Sequence, residues 1–176
     1  MFWIQIVTNF LKILRAGQTP RQIAGGFALG SIVGMSPSFT LQGMFVWLII
    51  FILDVNLSAA FLAFTVFALV AYIFDPLFHG LGYFLLVQVD ALKGLWTALY
   101  NAPVAPLTRF NNTVVLGSLL LAIVFSLPIY FGMKSFVVAY RTHIHSRVEQ
   151  WKIYKILSKS SLVKWYLKIR DLGVKP

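Results

Sequence analysis

Between Gln22 and Met133 the chain carries only five formally charged side chains, Asp54, Asp75, Asp90, Lys93 and Arg109. A stretch this long with so few charges cannot wrap an apolar core in a wetted surface, so water is the wrong solvent for most of it. The whole chain of 176 residues is 59% hydrophobic with a mean hydropathy of +0.82, against roughly 45–50% apolar in soluble domains. It therefore reads as one small all-α membrane protein, a polytopic helical bundle.

The bases sit at the two ends. Lys12, Arg15 and Arg21 precede the apolar block, and nine Lys and Arg residues from Arg141 to Lys175 follow it. Flanks of this sign are expected to face the cytoplasm and an anionic leaflet. The net charge of +10 is thereby assigned to membrane lipids with anionic headgroups, and no nucleic-acid partner is expected. With no cysteine in the sequence, disulfides, thiol nucleophiles and thiolate metal sites are excluded.

Residues 1–16 place Gln5, Thr8, Asn9, Lys12 and Arg15 on one helical face, the pattern of an interfacial amphipathic helix. A secretory signal fits less well, because its charges should precede its apolar run. Residues 17–92 form a glycine-rich membrane segment. Thr19-Pro20 supplies an N-cap and a first-turn proline. Gly26, Gly30 and Gly34 then line one face of a helix over 20–35, where small residues let another backbone approach closely.

Ser36-Pro37 stops that helix and starts a second, to about Leu53; a third runs from Leu57 to Phe74 and stops at Asp75-Pro76. Superposing the two breaks aligns Pro37 with Pro76, Phe39 with Phe78, Gly43 with Gly82 and Phe45 with Phe84. The expectation is a two-fold internal repeat of Pro-broken, re-entrant hairpins. Residues 93–112 read as an interfacial helix and loop, and 113–145 as a long transmembrane helix containing Pro128. Its 28 apolar-patterned residues from Thr113 to Tyr140 reach about 42 Å. Asn111-Asn112-Thr113 reads as a helix cap rather than a glycosylation acceptor. In the tail, 146–176, Lys152, Lys155 and Lys159 share one face and Lys164 and Lys168 another, between aromatic residues suited to a lipid surface.

The segments 20–35, 37–53, 57–74, 76–89 and 113–140 make five, and five full crossings would separate the two basic ends. The positive-inside rule places both termini in the cytoplasm, so an odd segment must fail to cross. The short, proline-bounded segments are the candidates.

Thr19-Pro20-Arg21-Gln22-Ile23-Ala24, then Gly26 to Gly30, Gly34, Pro37, Gln42, Asn56-Leu57-Ser58-Ala59-Ala60 and Pro76, resemble the bacterial membrane family known as domain of unknown function 2062. The run from Arg109 to Gly117, RFNNTVVLG, resembles a narrower subfamily. In many members the second break is Asn-Pro, and this chain departs from that with Asp75-Pro76. The resemblance implies a bacterial inner-membrane protein with no established catalytic residues. The subfamily likeness implies pairing with a much larger envelope protein.

Catalytic groups are sparse. Asp75 and His79 are one turn apart and could pair, or could be a cap and an incidental histidine. His143 and His145 are spaced to opposite sides of a helix, so no metal and no cofactor are expected. The candidate ligand site is the pair of helix breaks, Ser36, Pro37, Asp75, Pro76 and His79, whose helix N-termini would suit an anion or lipid headgroup. The expected function is a non-catalytic inner-membrane subunit that anchors or gates lipid or amphiphile transport in an envelope complex. The alternative is a self-sufficient channel or small transporter built from the two hairpins. Single cysteines at residues 17, 36, 54, 75, 101 and 146, read by labelling from either side, test the topology. Labels at Gly17 and Ser146 are expected from the same, cytoplasmic, side, and opposite-side labelling would overturn it.

Overall fold

The structure is a computed structural model that describes residues 18–37 and 40–144. The interfacial helix expected in 1–16 and the tail of 146–176, with Lys12, Arg15, Lys152, Lys155, Lys159, Lys164 and Lys168, lie outside the described residues. The chain divides into two compact units, Met1–Val137 and Val138–Pro176. The described residues are helical, without strands. They form α1 (Pro20–Met35), α2 (Leu41–Ile52), α3 (Leu57–Tyr83), α4 (Lys93–Tyr100) and α5 (Thr113–Ala139). A π-helical turn, Phe84–Gln88, extends α3, and another, Tyr140–Ile144, follows α5.

Each start has a local cause. Thr19 caps α1 through a full capping box with Gln22, and Pro20 occupies the first turn. Thr40 caps α2 through the Gly43 N–H, and Asn56 caps α3 through the Ala59 N–H at 2.7 Å. Asn112 accepts from the N–H groups of Val114 and Val115 and so caps α5.

The chain does leave the helix at Ser36-Pro37, but α2 begins at Leu41 under Thr40, not at Pro37 under Ser36. Ser36 instead directs both its N–H and its hydroxyl back to the Ile32 carbonyl, closing α1. The second expected break is absent. Asp75-Pro76 lies inside the continuous α3, so the two segments are not equivalent and the pair of Pro-broken hairpins is corrected to one interruption. The reason is packing on both sides of the proline. Ala59, Ala60 and Ala63 upstream and Phe78 and Gly82 downstream are all buried, which holds α3 on one axis through the missing hydrogen bond.

Two seams hold the first unit together. A Cβ on Gly26, Gly30 or Gly34 would collide with the backbone of Asn56, Ala60 or Phe64 respectively. Both series advance by four, so α1 and α3 run parallel with a fixed register. Further along α3, a Cβ on Gly82 would collide with the Thr113 backbone, and one on Gly117 with the Phe78 backbone. Here the numbers run in opposite senses, so this end of α3 meets α5 antiparallel. Between α1 and α3, α2 returns the chain, with Ile50 joining Val33 and Ala60 in the core and Trp47 packed on Phe61 and Phe64.

Much of the apolar surface points outward. Met44, Phe45, Phe51 and Ile52 on α2, Tyr72, Ile73 and Leu77 on α3, and Val124 and Leu127 on α5 are all more than half exposed. Two helical stretches, Leu57–Gln88 of 32 residues and Thr113–Thr142 of 30, are long and apolar enough to cross a membrane. In contrast, the 16 residues of α1 and 12 of α2 reach only about 24 and 18 Å.

Gly30→Ala is expected to destabilise the protein by about 1–3 kcal/mol, because backbone cannot move aside as a side-chain tip can. Gly132→Ala, where a Cβ meets nothing within 4 Å, is expected to be neutral or stabilising by up to about 1 kcal/mol. Thermal unfolding of both variants in mild detergent checks the contrast.

Candidate functional site

The two seams occupy successive stretches of one face of α3. Ala60 and Phe64 meet α1, and Phe78 and Gly82 meet α5. Ala68, Ala71 and Asp75 continue the same three-and-four spacing between them. Here α1 has ended and α5 has not yet closed over. A cavity of about 250 Å³ results, lined by Gly34, Met35, Ser36, Pro37, Ala68, Ala71, Tyr72, Asp75 and Val114.

Of the expected site residues, the cavity brings together Ser36, Pro37 and Asp75. Pro76 and His79 are not among its lining. His79 shares a 2.7 Å hydrogen bond with the Thr113 hydroxyl and packs against Tyr83, so its partner is the α5 seam rather than Asp75. No helix begins at Pro76, so Asp75 is not an N-cap and no positive helix end is found there. What meets the cavity is the C-terminal, carbonyl end of α1, which carries partial negative charge. Pro76 has no N–H, so the Tyr72 carbonyl loses its usual helical donor, and Tyr72 is also in the lining. The electrostatics expected for an anion are therefore reversed.

The motifs that seemed to surround a site build the seams. Gln22 accepts from the Thr19 N–H and hydroxyl, donates from Nε2 to the Asp54 carboxyl at 2.7 Å, and takes the Asn56 N–H on its carbonyl at 3.0 Å. It ties the start of α1 to the α2–α3 turn, one residue group ahead of Gly26. Asp54 is thus a structural partner of the α1 entry.

The second motif works alike. Arg109 takes a left-handed conformation at φ 55°, turning the chain toward the Asn112 cap. Phe110 stacks on Trp96 with centroids 5.9 Å apart. Trp96 donates to the Leu85 carbonyl at 2.9 Å, satisfying backbone at the π-turn. Gly82 and Gly117 were missed as packing residues; their signal was a single small residue one turn from Phe78 and from Thr113. Among the described residues no cluster of three or more His, Asp or Glu could hold a metal.

These features define a helical bundle on glycine seams, with two helices long and apolar enough to cross a membrane. The chain belongs to the bacterial family described as "Uncharacterized protein conserved in bacteria (DUF2062)", whose model matches residues 5–146. It is similar to an uncharacterized protein of Treponema pallidum (strain Nichols), 26% identical over 161 residues that cover 92% of this chain and 99% of the relative. No solved structure matches it.

The Gln22–Asp54 bond is expected to couple the two residues. In a double-mutant cycle, Gln22→Ala and Asp54→Ala should be non-additive by about 1 kcal/mol in unfolding free energy. Additive losses would show that the bond carries no stability.

Proposed function

We propose that the chain is a non-catalytic subunit of the bacterial inner membrane that anchors a larger envelope protein and gates the passage of lipid or another amphiphile. The observation that carries this reading is the outward apolar surface of α2, α3 and α5 around a core whose helices meet at glycine-to-backbone contacts. A water-soluble fold buries such surface; a bilayer or an apolar partner covers it.

Topology supports the same reading. The bond from Gln22 to Asp54 holds the entry of α1 and the exit of α2 together. The α1–α2 hairpin then enters and leaves on one side without crossing, while α3 and α5 cross in opposite senses. Two crossings keep the basic flanks of the sequence on the same, cytoplasmic, side, which removes the parity conflict of five segments. Irregular backbone at Pro37 is tolerated at depth because it borders protein and a cavity rather than lipid alone.

A second reading, a self-sufficient small transporter, is favoured by one observation, the cavity beside the end of α1 that Asp75 lines. The experiment that separates the two is purification from native membranes in mild detergent. The subunit reading expects one larger envelope protein to co-purify in fixed ratio, and the chain alone in liposomes to move no ion, solute or lipid. A partnerless protein that supports flux would overturn it in favour of the transporter.

A further inference from the structure

We infer that the cavity between the two seams binds an organic cation, a primary ammonium group held by Asp75 and by the carbonyl end of α1. Three features of the lining select that chemistry. Among the described residues Asp75 contributes its one acid, and no Lys, Arg or His lines the cavity. Among the described residues Asp75 makes no ion pair or side-chain hydrogen bond, whereas Asp90 is paired with Lys93. Asp75 is exposed, but it sits within a helix long and apolar enough to cross a membrane, where a carboxylate with neither a cap nor a partner calls for a cation.

The backbone adds to this demand. The helix that ends at Met35 presents its negative pole at the cavity, and both donors of Ser36 are already spent on Ile32. The Tyr72 carbonyl, deprived of a donor by Pro76, is a further acceptor in a lining residue. An ammonium group has three donors and no acceptor, so it complements a lining rich in acceptors; a phosphate, which only accepts, does not.

Size narrows the ligand. About 250 Å³ is below the roughly 300–1,000 Å³ of sites for drug-sized molecules. The small walls of Gly34, Ala68 and Ala71 leave room for a headgroup-sized amine and not for an acyl chain. The amine can come from an aminophospholipid headgroup or from a free soluble amine. Only the lipid source rests on the membrane reading above.

The test uses the full chain in phosphatidylcholine nanodiscs, with the thermal unfolding midpoint as readout. Ethanolamine is titrated in solution, and phosphatidylethanolamine is separately introduced into the discs. N-acetylethanolamine, inorganic phosphate and phosphatidylglycerol are the controls. The midpoint is expected to rise with an amine and not with the controls, and Asp75→Asn is expected to weaken amine binding by about tenfold or more. A shift with ethanolamine identifies a free-amine site; a shift confined to phosphatidylethanolamine identifies a headgroup site. Should Asp75→Asn fail to fold, Ala71→Leu, which fills the cavity from its wall, is expected to abolish the shift instead. Stabilisation by phosphate or phosphatidylglycerol alone, no response to either amine, or full amine binding in both variants would overturn the inference. Such a result would leave the topology and the partner experiment untouched.

Discussion

Everything in the first unit depends on how closely one helix backbone can approach another. At Gly26, Gly30 and Gly34 on one side of α3, and at Gly82 and Gly117 on the other, an added Cβ would overlap backbone atoms of the facing helix. Apolar side chains cannot supply this cohesion where the surroundings are equally apolar, because no hydrophobic difference remains to drive them together. Close approach replaces it with dispersion over many atom pairs and with short-range contact between polar backbones. The hydrogen bonds at the helix starts then fix register. Gln22 sets Gly26 opposite Asn56, and the Asn112 cap with the His79–Thr113 bond sets Gly117 opposite Phe78.

This assigns a physical role to the capping and small residues of the two family motifs. Thr19, Gln22, the three glycines of α1, Asn56 and Ala60 form the parallel seam. Arg109, Phe110, Asn112, Thr113 and Gly117 form the antiparallel one. A motif that looks like a fingerprint of chemistry is, here, the specification of two helix crossings. Neither crossing explains Asp75, which is exposed on an otherwise apolar stretch of α3.

Local signals were legible in the sequence and tertiary ones were not. The bounds of α1, its capping box and the cap of α5 follow from side-chain chemistry within four residues, and the glycine spacing names the face that packs. Pro37 and Pro76 look alike at that range, each behind a capping residue. Their fates differ because of what lies beyond. At Pro37 the chain turns and α2 starts afresh under Thr40; after Pro76, Phe78 and Gly82 are held on α5, and the helix continues. The cost of a proline in a helix, about 3 kcal/mol, is opposed by the contacts of that crossing. The alignment of the two breaks therefore matched sequences whose structures diverge. Gly82 fell on the wrong list for the same reason: it was counted as a repeat position, and its partner Thr113 is distant in sequence.

The site was legible as a set of residues and illegible as a polarity. Ser36, Pro37 and Asp75 do meet, but at the end of a helix rather than at the beginning of two. That reversal follows from Pro76 staying inside α3. A break there would have created a helix N-terminus, turning Asp75 into a cap and its surroundings into an anion site. Continuity removes the N–H groups that would have satisfied Asp75, and Pro76 removes the usual helical donor of the Tyr72 carbonyl, in a residue of the same lining. The cavity itself is a geometric remainder: α1 ends opposite Phe64, α5 takes hold at Phe78, and the face between them must stay open or be filled by larger side chains. Ala68 and Ala71 do not fill it, and Asp75 makes filling it with apolar groups costly. The packing that builds the bundle thus leaves an opening lined by Asp75 and by the carbonyl end of α1.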